Sequence, residues 1–239
     1  MGEFKNFFNL LLEDQKYDSD IRSEAKSVFN KVSEWFIDNL ETIIGTDQYH
    51  AITPDGEFLG FYTKATEDLT VIFNFKGNAS YHFDPDSNIK FLQIPILNGT
   101  HYDHFYPDYD SFVEDFGDEE ELKEELEDSF DSAITTFVHE YIHYKDYDRF
   151  KGTPNQLTKS AEKALSGDRK DYYDSNFEQN AYYQEGVSRI EDSGAIFPDF
   201  KSFLEASVRY FDNQYIMHVR SDEKLWKKFT KRLYQYFSS

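Results

Sequence analysis

Between Leu122 and Tyr141 apolar residues recur at three- and four-residue steps: Leu122, Leu126, Phe130, Ile134, Phe137 and Tyr141. A stripe of that kind predicts one long helix that must bury one side, and no other stretch constrains the fold as much. Its start is marked as well. Gly117 precedes Asp118, and Asp118 with Glu121 three residues later makes a capping-box pattern. The acidic run from Glu114 to Asp128 fills the first turns, where the helix dipole favours negative charge.

The rest of the chain has to supply the partners of that helix. The sequence has 239 residues, enough for one large domain. Its 24 Phe and 18 Tyr are far more than a disordered acidic chain carries, so a packed core is expected beneath a charged shell. That shell holds 46 acidic residues against 25 Lys plus Arg, a net charge of −21, which argues against nucleic acid and anionic membranes as partners. No Cys is present, so thiolate metal sites and Cys nucleophiles are excluded, and any metal must be held by His and carboxylate. The apolar patch Phe7 to Leu12 is too short to span a membrane and has no small-residue cleavage site behind it. A soluble, cytoplasmic protein is the expectation.

Along the chain, residues 20–44 read as an amphipathic helix with Asp20 as N-cap, an apolar series Ala25, Val28, Val32, Phe36, Leu40 and Ile43, and Gly45 as its stop. Short β-like runs follow at Glu57–Thr63, Leu69–Phe75, Ser80–Phe83 and Ile89–Leu97. Pro95 lacks an amide hydrogen, which predicts a sheet edge for the last of these. Residues 151–177 read as loop with one short helix around Leu157 to Leu165, and three helices are expected near 178–191, 198–211 and 222–237. The organisation expected is one α+β domain with N-terminal helices over 1–46, a sheet region over 47–117, two helices of chemical interest over 118–191 and C-terminal helices over 192–239. The last helix is basic, and the expectation is that it folds back on the acidic body.

Inside the long helix stands His139-Glu140-Tyr141-Ile142-His143, an H-E-x-x-H string. Helical spacing puts both imidazoles on one face, one turn apart, where they can reach a single zinc ion, with Glu140 beside them to act on a water. A chain of this composition contains the string by accident about 0.02 times, so its surroundings decide. They include a strong helix, a strand candidate upstream for pairing with a substrate, and a downstream stretch, Tyr172 to Tyr183, with Glu178 at a helix start and Ala181 small enough for close helix approach.

The strings around His139 and Glu178 resemble the zincin metallopeptidases, specifically the gluzincin-like pattern H-E-x-x-H followed by E-x-x-A. They are similar, too, to small zincins of tailed bacteriophages, in which an H-E-x-x-H-x-x-D helix precedes a tyrosine-rich E-x-x-A-Y helix. The resemblance covers residues 88–190. It implies a zincin-like fold, a small mixed sheet with an edge strand beside a long metal-binding helix. It implies zinc held by His139, His143 and Glu178, and hydrolysis of peptide bonds, as an endopeptidase, by a zinc-bound water that Glu140 activates. An oxyanion donor is needed as well, with Tyr182, Tyr183, Tyr172 and Tyr173 open for that role. The interval from His143 to Glu178 is longer than in the best-known gluzincins, which keeps Asp174, Glu185 and Asp146 in view as rival ligands. Asp146, one turn beyond His143, is alternatively a group that orients an imidazole, or a surface charge.

Other readings stay open at this point. His101, Asp103, His104 and Asp108 form a second cluster able to bind an ion or line a cleft, although loops rich in Tyr, Asp and Pro are common without any ligand. His50, His82 and His218 stand alone and read as packed or surface side chains. A net charge of −21 suits a DNA mimic that blocks a basic protein. A zincin-fold phage structural or interaction protein without catalysis is the third possibility. For a peptidase the partner is a protein or peptide substrate, and an acidic cleft would favour basic side chains in it.

Overall fold

A computed structural model describes residues 2–52, 58–75, 77–84, 89–97, 108–150 and 169–238. It is a mixed α+β structure, dominated by helices and containing one small five-stranded sheet. Two compact units emerge, residues 24–144 and residues 1–23 with 145–239. Both divisions fall within long helices, α1 (Gly2–Asp38) and α4 (Glu119–Phe150).

α1 begins at Gly2, so Asp20 is an interior residue and not the expected N-cap. The physical reason is the absence of Gly or Pro from residue 3 to residue 44, which leaves nothing to break the helix before Asn39. There the Asn39 side-chain amide donates to the Trp35 carbonyl at 2.8 Å, a local bond that competes with the helical ladder, and the chain restarts as α2 (Leu40–Ile44) before Gly45. The buried stripe runs Ala25, Phe29, Val32, Phe36, Leu40 and Ile43, with Phe29 in the place expected for Val28.

In the unit of residues 24–144, strands β1 (His50–Ile52), β2 (Phe58–Lys64), β3 (Leu69–Asn74), β4 (Ser80–Asp84) and β5 (Ile89–Pro95) lie in the order β1-β2-β3-β5-β4. All neighbours are antiparallel except β3 and β5, which run parallel. The Ile89–Leu97 strand is therefore interior, flanked by β3 and β4, and the expected edge position belongs to β4. Pro95 is tolerated because of where it falls. Pairing with β4 ends at Ser80 opposite Gln93, so the missing amide of Pro95 faces no partner, while Ile96 N still donates to the Asn74 carbonyl at 2.8 Å. Gly60 in β2, at φ +148°, sits so close to β3 that a Cβ would stand 2.2 Å from the Phe73 carbonyl oxygen. Only glycine fits that approach.

One face of this sheet is covered by helix. Phe73 packs edge-on against Phe29, Phe36 and Phe130 at centroid distances of 6.3, 5.1 and 5.0 Å. α4 contributes Leu122, Leu126, Phe130, Ala133, Phe137, Tyr141 and Tyr144, a seven-residue buried stripe at helical steps. Asp118 caps it as expected, its Oδ1 accepting from the amides of Glu120 and Glu121. A short helix, α3 (Tyr109–Glu114), was not expected. Asp108 caps it by accepting from the Ser111 amide, and Phe112 is buried.

The other unit is helical: α5 (Arg169–Asp174), α6 (Asn176–Asp192), α7 (Phe200–Ser207), α8 (Asn213–Ser221) and α9 (Glu223–Phe237). Its core gathers Tyr183, Val187, Ile190, Phe203, Phe211, Tyr215, Val219, Phe229 and Leu233. α8 is an addition to the three helices expected, started by Asp212, which accepts from the Tyr215 amide. Two cations of the basic helix α9 have acidic partners: Lys227 pairs with Glu223 of the same helix and Arg232 reaches Asp18 of α1. No described helix is long and apolar enough to cross a membrane. The expected helix around Leu157 to Leu165 and the cluster His101 to Tyr106 lie outside the described residues.

Candidate metal centre

His139, Glu140 and His143 occupy the second half of α4, where the apolar stripe has turned the opposite side of the helix into the core. The imidazoles are one turn apart, with ring centroids 5.0 Å from each other and planes at 74°. His139 and Glu140 are both buried at 7% exposure, and His143 is half-buried. A solvated helix face would leave these side chains open to water. Burial of a carboxylate and an imidazole side by side is costly unless each is satisfied, so the face is a built one.

The residues between and beyond the histidines anchor the helix. The Tyr141 hydroxyl donates to Glu24 Oε1 at 3.0 Å, and burial followed by the charge of Glu24 pushes that phenol well above its ordinary value. The Tyr144 hydroxyl donates to Asp68 Oδ1 at 3.0 Å, and burial followed by that carboxylate pushes it up to about 12. Lys90, 7% exposed, donates to Asp68 Oδ2 at 3.0 Å and lies over the Tyr144 ring at 5.1 Å.

In the other unit, Glu178 stands in the first turn of α6 and is buried. Tyr172 of α5 donates a hydrogen bond to it and is bonded to the hydroxyl of Tyr182 as well. Burial is the main cause that raises both phenols far above the ordinary range, so they act as hydrogen-bond donors and not as phenolates. Tyr182 lies one turn after Glu178 and stacks on Tyr215 at 5.2 Å. Tyr183 faces elsewhere, beneath the Arg232 guanidinium at 3.7 Å and edge-on to Phe229. Tyr173 stacks on His218.

The rival acids have other partners. Asp174 Oδ1 accepts from His218 Nε2 at 2.9 Å, and Glu185 accepts from Arg189 one turn later. Asp146 is 3% exposed and is not a surface charge; its Oδ2 accepts from Asn180 Nδ2 at 2.9 Å. Of the solitary histidines, His50 packs against Phe58 and Phe61. His82 stacks on Phe91 at 4.7 Å, on the face of β4 opposite Tyr81, which meets Tyr144 of α4. Asn180 and Arg232 had no sequence signal, since amide and guanidinium partners 52 residues apart leave no spacing pattern.

No family model, no curated protein and no solved structure matches this chain.

Proposed function

We propose that the chain is a zinc-dependent endopeptidase with a zincin-like arrangement, in which His139, His143 and Glu178 hold the ion and Glu140 is the general base. The observation that carries the reading lies within α4: the imidazoles of His139 and His143 stand one turn apart with ring centroids 5.0 Å from each other, and Glu140 is buried beside them. The chemistry of the donor set fits zinc. Two imidazoles and one carboxylate make the three-protein-ligand set that leaves a position for a reacting molecule. With no Cys in the chain, softer thiolate chemistry has no donors.

When bound, zinc supplies a Lewis acid that polarises a carbonyl and acidifies water. The remaining work falls to side chains. Glu140, buried beside the histidines, takes a proton from the attacking water and returns it to the departing amine, so the carbon–nitrogen bond breaks without releasing an unprotonated amide anion. Tyr182, kept protonated by burial one turn after Glu178 on α6, donates to the oxygen that becomes negative, while the Tyr172 hydroxyl is committed to Glu178. Tyr183, covered by Arg232, is less suited to that role.

Metal content of the purified chain tests the reading, with His139→Ala and Glu140→Gln alongside. About one zinc per chain in the wild type, loss of that zinc in H139A, and zinc retained without turnover of peptide substrates in E140Q are the expected results. A wild type that binds no zinc after reloading would overturn it.

A further inference from the structure

Asp146, one turn beyond His143 on α4, is buried where a carboxylate needs firm partners. Its Oδ2 accepts from Asn180 Nδ2 at 2.9 Å. The other end of the same amide is also engaged, because Asn180 Oδ1 accepts from Arg232 Nη2 at 3.0 Å. An amide whose oxygen faces a guanidinium and whose nitrogen faces a carboxylate can sit only one way round. Arg232 is fixed in turn. Its guanidinium lies over the Tyr183 ring at 3.7 Å, and Nη2 stands 3.4 Å from Asp18 Oδ2. The chain of contacts thus runs from α9 through α6 to α4, and no residue in it belongs to the proposed ligand set.

We infer that Arg232 and Asn180 are positioning residues for the metal-bearing stretch of α4. Arg232 orients the Asn180 amide, the amide holds the Asp146 carboxylate, and that carboxylate fixes the helical turn that carries His143. The inference rests on the proposed zinc reading and adds to it a dependence of metal affinity on the C-terminal helix. Partners behind the ligands commonly change metal affinity by about 10- to 100-fold when removed.

The test uses the full chain with Arg232→Met, Arg232→Lys and Asn180→Ala, and Lys227→Met on the solvent side of α9 as control. Metal-stripped protein competes with a chromophoric chelator for added zinc. R232M and N180A should bind zinc at least about tenfold more weakly, R232K should recover part of the loss, and K227M should match the wild type, with cooperative unfolding retained throughout. On the metal-free chain, amide hydrogen exchange should speed up over residues 139–147 in R232M and stay unchanged over residues 122–130. Zinc affinity and exchange within twofold of the wild type in R232M would overturn the inference. If R232M does not fold, N180A carries the same comparison, because it cuts the bridge while leaving the guanidinium on Tyr183. A wild type that binds no zinc would end the functional reading, and the exchange measurement would then decide the positioning role by itself.

Discussion

Tyr144 donates its hydroxyl to Asp68 at 3.0 Å across 76 residues of chain, and so ties the turn next to His143 to the loop between β2 and β3. Lys90 completes the group by bonding the second oxygen of the same carboxylate. Burial, the largest influence on Asp68, would raise its carboxyl, but hydrogen bonds from Lys90, Thr66 and Tyr144 together hold it below the ordinary value. A depressed carboxyl stabilises the fold above its unfolded value of about 3.9 and loses that contribution as pH falls through the folded value. Asp68→Asn should therefore flatten the acid side of the stability curve below about pH 4, and Tyr144→Phe should cost about 1 kcal/mol near neutrality. Urea unfolding between pH 3 and 7 reads both; parallel curves for wild type and D68N would reject the ionic account.

The alkaline side behaves in the opposite sense. Tyr144 and Tyr215 are pushed up to about 12, chiefly by burial. A raised phenol contributes its full stability below the unfolded value of about 10 and loses it as pH climbs toward the folded value. The chain should weaken between about pH 10 and 12, and absorbance near 295 nm should show one class of tyrosines ionising only as the fold opens. A single titration centred at the ordinary phenol value would contradict the burial described for these rings.

On the proposed zinc reading, chelation should lower the melting temperature of the metal-loaded chain. Binding to the folded state alone contributes about 2.7 kcal/mol when free zinc is a hundred times the dissociation constant. Melting of the metal-loaded chain with and without chelator measures this, and reloading should restore the original value. Unchanged melting in protein shown to have been loaded would be inconsistent with ligands drawn from separated stretches of sequence.

Gly186, in the middle of α6, lies against the Phe211 ring, where an added Cβ would stand 2.2 Å from Cδ1. Alanine is the better helix former by about 1 kcal/mol, yet Gly186→Ala should still destabilise the chain, by about 1–3 kcal/mol, because the ring has to shift within a filled core. Denaturant midpoints decide the sign. A stabilised variant would mean that Phe211 moves freely.

Much of this was legible in the residues. The stripe from Leu122 to Tyr141 and the Asp118 cap foretold α4, and the paired histidines at one-turn spacing follow from helical geometry alone. What failed was information that only tertiary pairing supplies. Pro95 pointed to an edge, but a strand can be interior where its neighbour simply stops, as β4 does opposite Gln93. Asp20 looked like a cap because Asp favours that position, although no breaker preceded it. β1 is three residues long and carries too little pattern to see. Asp146 could not be separated from a surface charge until Asn180 was found beside it.

The place of α9 in the core changes what a shortened chain would mean. A premature stop codon just after Asp222 would leave His139, Glu140, His143 and Glu178 all translated. It would nonetheless remove Phe229 and Leu233 from the helical core and Arg232 from the Asn180 amide. A gene damaged in that way would still score as carrying the motif while encoding a protein that folds poorly, so the fifteen residues of α9 are a better gauge of an intact allele than the motif itself.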